Sequence, residues 1–169
     1  MERTMSMKDA VISFWMNGLK FNGRSRRREY WLSGLGHMLI FLFMGAIFLV
    51  LDIITQEKFH LDDIYNFIIG DLFYWVAFIP GMALGCRRLQ DINVNGIYCI
   101  IFSLLSIPLT ILGYFYSDKQ LFSFNGLMGI FILVLNVLII IFAIVLFIMA
   151  CIEGTRGPNK YGEDPKYIY

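Results

Sequence analysis

Residues 30–51, YWLSGLGHMLIFLFMGAIFLVL, run for 22 residues without one charged side chain. As a helix rising 1.5 Å per residue, the stretch is about 33 Å long. That covers the roughly 30 Å hydrocarbon core of a bilayer. Three more charge-free runs follow: Leu72–Cys86 (15 residues), Ile92–Ser117 (26) and Gln120–Ile152 (33). The reading of all four as membrane spans decides the fold class. Composition agrees with it: 58% of the 169 residues are hydrophobic and 16% charged, against about 45–50% and 25% in soluble domains. A soluble globular domain, a disordered chain and a disulfide-stapled module are excluded.

The second span is the least clean. Starting it at Ile64 supplies the length but places Asp71 inside the membrane, and Pro80-Gly81 predicts a kink that neighbouring helices must re-satisfy. The third span follows the turn signal Asn95-Gly96 and ends in the aromatic belt Tyr114-Phe115-Tyr116. Ahead of the first span, Val11, Phe14, Trp15 and Gly18 keep an i, i+3, i+4, i+7 spacing, which predicts an amphipathic helix over 7–21. It either lies in the membrane interface or packs on the ends of the spans. The expected architecture is a single all-α domain over 1–169. It is an integral membrane four-helix bundle with spans near 30–51, 64–86, 95–117 and 127–150, an N-terminal interfacial amphipathic helix and a tail from 151.

Charge orients the bundle. Arg3, Lys8, Lys20, Arg24, Arg26, Arg27 and Arg28 precede the first span. Arg87 and Arg88 close the second, and Arg156, Lys160 and Lys166 follow the fourth. Four spans put these twelve of the fourteen cations on one side, and the positive-inside rule makes that side the cytoplasm, with both termini there. The first outer loop is acidic: Asp52, Glu57, Asp62, Asp63 and Asp71 stand against Lys58. A cleaved signal peptide does not fit, because no small-residue cleavage site precedes Asp52. Cys86, Cys99 and Cys151 are too scattered for a metal site and are expected as free thiols; no metal or cofactor is expected.

Three polar clusters mark the ends of the spans on the basic side. They are Gly23-Arg24-Ser25-Arg26-Arg27-Arg28-Glu29-Tyr30-Trp31, Arg87-Arg88-Leu89-Gln90-Asp91 up to Asn95-Gly96, and Gly154 to Pro165. As an ordered set they resemble the YhaH-like family of small bacterial inner-membrane proteins, catalogued as domain of unknown function 805. The resemblance covers about residues 7–165. Gly23, Arg24, Arg27, Glu29, Tyr30 and Trp31 match its first motif; Arg87, Arg88, Leu89, Asp91 and Gly96 its second; Gly154, Gly157, Asn159, Tyr161, Gly162, Asp164 and Pro165 its third. Gln90 stands where the family usually has His, Asn95 where it has Ser, and Ile97 where it has an aromatic residue. The resemblance implies a four-helix inner-membrane protein and no assigned reaction.

The residues themselves suggest two uses for this cap. Asp91 and Glu29 can accept bidentate bonds from neighbouring arginines, tying the helices together. Alternatively, Arg24, Arg27, Glu29, Arg87, Arg88, Asp91, Asn159 and Tyr161 contact an anionic lipid headgroup, a soluble anion or an unknown protein partner. Nucleic acid is not an expected partner, because the basic run is short and adjoins the membrane.

Within the spans the polar residues are His37, Asp71 and Asn136, the default places to look for function in a membrane. Asp71 and Asn136 both lie about 24–25 Å from the basic side and are expected to meet. His37, about 10 Å in, is out of their reach. Gly81 and Gly85 form a G-x-x-x-G spacing suited to close helix packing or a homo-oligomeric seam. No nucleophile–base pair, phosphate loop or dinucleotide fingerprint is present, so no enzyme is expected. The alternatives to an interaction or lipid-binding protein are a small oligomeric transporter or pore along His37, Asp71 and Asn136, and an immunity-type membrane inhibitor.

Overall fold

The computed structural model describes residues 5–55, 61–115 and 126–166. These form helix α1 (Met7–Met16), α2 (Arg27–Thr55), α3 (Leu61–Tyr65), a π-helical segment π1 (Asn66–Leu72), α4 (Phe73–Asp91), α5 (Ile97–Phe115) and α6 (Leu127–Cys151). No β-strand occurs among the described residues; one isolated bridge joins Asn159 and Gly162. Glu57, Lys58 and Lys119, and the side chains of Asp62 and the 114–116 belt, lie outside the described residues.

α1 begins where Ser6 accepts from the Asp9 amide at 3.1 Å and the Ser6 amide donates back to Asp9 at 3.2 Å. This capping box satisfies two donors that helix geometry would leave orphaned. α1 stops at Met16, five residues short of the expected 21, because Asn17 and Gly18 turn the chain. It packs on α2 and α4. Ala10 and Phe14 are buried, and a side chain on Gly36 of α2 would collide with Val11.

α2, at 29 residues, is about 43 Å long. π1 and α4 form one continuous helical stretch, with Asp63–Asp91 long and apolar enough to cross a membrane; α2 and Gly129–Cys151 of α6 meet the same test. α5 is the shorter apolar helix. α4 continues through Pro80 and α5 through Pro108 without ending. The Phe73 amide, closing π1, donates to the Ile68 carbonyl, the wide i→i+5 turn that defines such a segment.

The distribution of side chains is inverted relative to a water-soluble fold. Leu42, Phe43, Ile53 and Phe131 point outward, whereas Arg26, Glu29, Arg87, Arg88, Gln90 and Asp91 are buried. The apolar core is small and sits beside those charges: Ala83, Leu84, Cys86, Leu89 and Ala150. Exposed apolar helix faces need a hydrocarbon solvent, and buried charges need partners.

Gly81 and Gly85 have different surroundings. A side chain on Gly85 would press on Cys99 of α5 at 2.9 Å, so this glycine does let α4 and α5 close up. Around Gly81 nothing lies within 4 Å, and it contributes no packing among the described residues. Asn136 donates its side-chain amide to the Ile132 carbonyl of its own helix at 2.9 Å, and π1, which carries Asp71, packs on α3 and α4.

Candidate functional site

Three segments remote in sequence meet at the ends of α2, α4 and α6: residues 21–29, the last turn of α4, and the chain from Ala150 to Asp164. Asp91 is their hub. Its Oδ1 accepts from Arg24 Nε at 3.0 Å and its Oδ2 from Arg88 Nη1 at 2.6 Å. Its main-chain carbonyl accepts from the Thr155 amide at 2.9 Å and the Thr155 hydroxyl at 3.0 Å. Gly154 passes so close that any side chain there would strike the Asp91 carboxylate.

The two arginines spend their remaining donors on carbonyls: Arg24 on those of the tail, and Arg88 on those that the end of α6 leaves unsatisfied. Arg24 donates through Nη1 to Gly157 at 2.6 Å and through Nη2 to Thr155 at 2.5 Å. Arg88 donates through Nε to Ala150 at 3.2 Å and through Nη2 to Ile152. α4 runs on to Asp91, because the side chains of Arg88 and Asp91 in its last turn find partners on the tail and on Arg24.

A second link runs beside the first. Ser13 of α1 donates to Glu29 Oε1 at 2.7 Å, and Arg87 Nη1 lies 3.7 Å from the same oxygen. Arg87 also donates to the Ala83 carbonyl at 3.3 Å, while its Nη2 is buried without a hydrogen-bond partner. Gln90, the residue in the place of the family His, clamps the chain ahead of α2. Its amide nitrogen donates to the Phe21 carbonyl and its oxygen accepts from the Gly23 amide, both at 3.0 Å. In the sequence Gln90 stands out only as a departure from the family motif. Its position between Arg88 and Asp91 on the same turn is the signal that points to the cap.

The tail folds over this core. Asn159 donates to the Gln90 carbonyl and to Thr155 Oγ1, both at 3.0 Å. It also receives the Tyr161 amide at 2.9 Å. The reversal at Gly162, with φ +136°, is closed to most side chains and completes the bridge to Asn159. Tyr161 enters this network only through its backbone; its ring lies under Lys160. Asp164 accepts from the Gly157 and Lys166 amides at 3.0 Å each. Burial pushes its carboxyl up, but those two amides and the charges of Arg24 and Lys166 outweigh it, holding Asp164 below its ordinary range. Glu153, in solvent, is likewise held low by its bond to Lys166 at 2.9 Å.

Arg27 stands apart from the other expected cap residues. It is exposed and makes one contact of 3.3 Å, to the Cys151 carbonyl. It lines a polar recess of about 290 Å³ with Arg24, Arg26, Arg28, Arg156 and Lys166, facing Asp91, Glu153 and Asp164. Six basic side chains against three acidic ones leave an excess of three positive charges there. Arg27, Arg28 and Arg156 are exposed.

Of the intramembrane residues, His37 donates from Nδ1 to the Ser33 carbonyl at 2.8 Å and sits among Phe14, Trp15, Phe41 and Phe73. A ring nitrogen facing a carbonyl must carry the proton, and Nε2 is buried without a partner. Cys86, Cys99 and Cys151 are free thiols, and no group of three potential metal ligands occurs among the described residues.

The "Inner membrane protein YhaI" of Escherichia coli (strain K12) and that of Escherichia coli O157:H7 are each 28% identical to this chain over 156 residues, covering 92% of it and 94% of the relative. No solved structure matches. Residues 18–163, which contain the first two clusters of the cap and the third as far as Glu163, match the family described as "Protein of unknown function (DUF805)", and the chain belongs to that family.

Proposed function

We propose that the protein is a non-enzymatic, multi-pass inner-membrane protein that binds anionic phospholipid headgroups in the recess beside its polar cap. Its α1 lies in the interface, four helices span the bilayer, and the basic end with both termini faces the cytoplasm. The positive-inside rule supports that orientation, and the name of the relatives supports the membrane.

The observation that carries the reading is the split between two sets of arginines. Arg24 and Arg88 are consumed by Asp91 and by carbonyls, so Arg24 forms part of the wall of the recess and Arg88 holds Asp91 in place within it. Arg27, Arg28 and Arg156 are exposed beside it, with donors facing outward. This changes which of the expected contact residues do the binding: Arg24, Arg88 and Asp91 hold the site, and Arg27 with Arg28 and Arg156 meets the ligand. Basic side chains near an anionic leaflet contribute about 1 kcal/mol each.

The test is native mass spectrometry of protein released from mixed nanodiscs of phosphatidylglycerol and phosphatidylcholine. The wild type is expected to retain the anionic lipid. Replacing Arg27, Arg28 and Arg156 together by Gln is expected to lower its affinity roughly a hundredfold while leaving thermal stability in place. Equal retention by the variant and the wild type would reject the reading.

A further inference from the structure

A cavity of about 670 Å³ lies between α2, π1–α4, α5 and α6. We infer that it is a binding site for a single hydrocarbon chain of a membrane amphiphile. The inference stands apart from the headgroup reading above, because the cavity is an apolar space away from the exposed arginines.

One face of the π1–α4 stretch lines it from end to end: Gly70, Phe73, Ala77, Gly81, Gly85 and Arg88 recur at intervals of three or four residues. This is the face that would carry interlocking side chains if the helices were packed solid. Gly70 and Gly81 instead are exposed and have nothing within 4 Å of where a Cβ would stand, so the space is open along these positions. The opposite walls are Phe102 of α5 and Phe147 of α6. The charged residue on the lining, Arg88, is held by Asp91 and by carbonyls.

The dimensions select the occupant. Gly70 to Arg88 is 18 helical steps, roughly 27 Å, close to the full depth of a hydrocarbon core of about 30 Å. Counting all the empty space within the lining, about 1490 Å³ with its open mouth included, the mean cross-section over that length is about 55 Å² by the same rise per residue. A helix with its side chains is about 10–12 Å across, or about 80–110 Å². A second copy's helix does not fit this slot; a chain does. The setting agrees, since apolar cavities stay dry and take apolar guests.

The test is photolabelling in proteoliposomes of phosphatidylcholine whose acyl chain carries a diazirine, followed by digestion and mapping of the adducts. Adducts are expected to concentrate on Phe78, Met82 and Phe102, above the level on outward-facing Leu138. Gly81→Phe, placed in open space, is expected to cut the cavity adducts at least tenfold with Leu138 labelling unchanged. Gly70→Phe repeats the test at the far end should the first variant misfold. A second arm, with a diazirine on a free fatty acid, identifies whether a two-chain lipid or a single-chain amphiphile is the better guest. Even labelling of cavity and Leu138, or labelling indifferent to both substitutions, would overturn the inference. So would a disulfide between two copies of Gly81→Cys.

Discussion

Asp91→Asn isolates what holds the cap together. The substitution keeps the volume of the side chain and removes its charge, leaving Arg24 and Arg88 facing one another across a neutral amide. Both ion pairs are buried, with side-chain exposures of 1–5%, so neither arginine regains water. Removing one partner of a buried pair costs about 3–5 kcal/mol, which for a chain of this size lowers the melting midpoint by about 6–20 °C. Cys86 supplies the assay: it is 1% exposed, and its thiol donates to the Gly96 carbonyl at 3.1 Å. In a background with Cys99 and Cys151 replaced by Ser, the rate at which a thiol-reactive fluorophore labels Cys86 on heating reports opening of the α4 end. Glu153→Gln is the control, since the Glu153–Lys166 pair stands in solvent and such pairs contribute little. If Asp91→Asn melts within about 2 °C of the wild type, an interval worth no more than about 1 kcal/mol, the cap is not what ties these segments together.

Gln90→Leu is expected to lose the bonds to Phe21 and Gly23, about 2 kcal/mol for two neutral hydrogen bonds, seen as a lower midpoint in the same assay. Gln90→His, which keeps one donor and one acceptor when neutral, is expected to recover part of that loss. Asp164 gives a pH dependence. Its folded-state pKa lies below its ordinary value of 3.8, so the stability it contributes is complete above that value and is lost as pH falls through the depressed one. Hydrogen-exchange protection of the Gly157 and Lys166 amides is expected to collapse in that acid window in the wild type. In Asp164→Asn it is expected to be low at every pH.

The hydrophobic runs and the three polar clusters were legible in the sequence because each is local: a span is a length, and a motif is a spacing. What the clusters do was only half legible. That Asp91 would bind arginine follows from charge; that Arg24 and Arg88 would also bond carbonyls of Gly157, Thr155, Ala150 and Ile152 requires knowing where the tail lies. The bond from Asn136 to Ile132 was not legible for a similar reason. Counting residues from the basic end gives the depth of a side chain but not its bearing around the helix axis. An amide within a span also has the carbonyl four residues back as a ready partner. Gly81 and Gly85 share a spacing and a face, yet a side chain on Gly85 would press on Cys99 of α5 while the Cβ position of Gly81 has nothing within 4 Å; spacing does not say which turn a neighbouring helix covers.

The bonds from Arg24 to Thr155 and Gly157 cross 131 and 133 residues, and this sets an order of events during synthesis. A nascent chain ending before Thr155 already holds Arg24, Arg88 and Asp91, but it lacks the carbonyls that engage Arg24 and the amide that engages Asp91. Such an intermediate carries a half-satisfied polar cluster at the membrane boundary, and closing a loop that long draws on entropy that no earlier contact has offset. The tail therefore acts as a latch: the helices become one object only when the last of them has been inserted and the segment behind it has folded back. Truncations that spare every span but remove Thr155–Asp164 would release a protein whose helices are all present and whose assembly has never been closed.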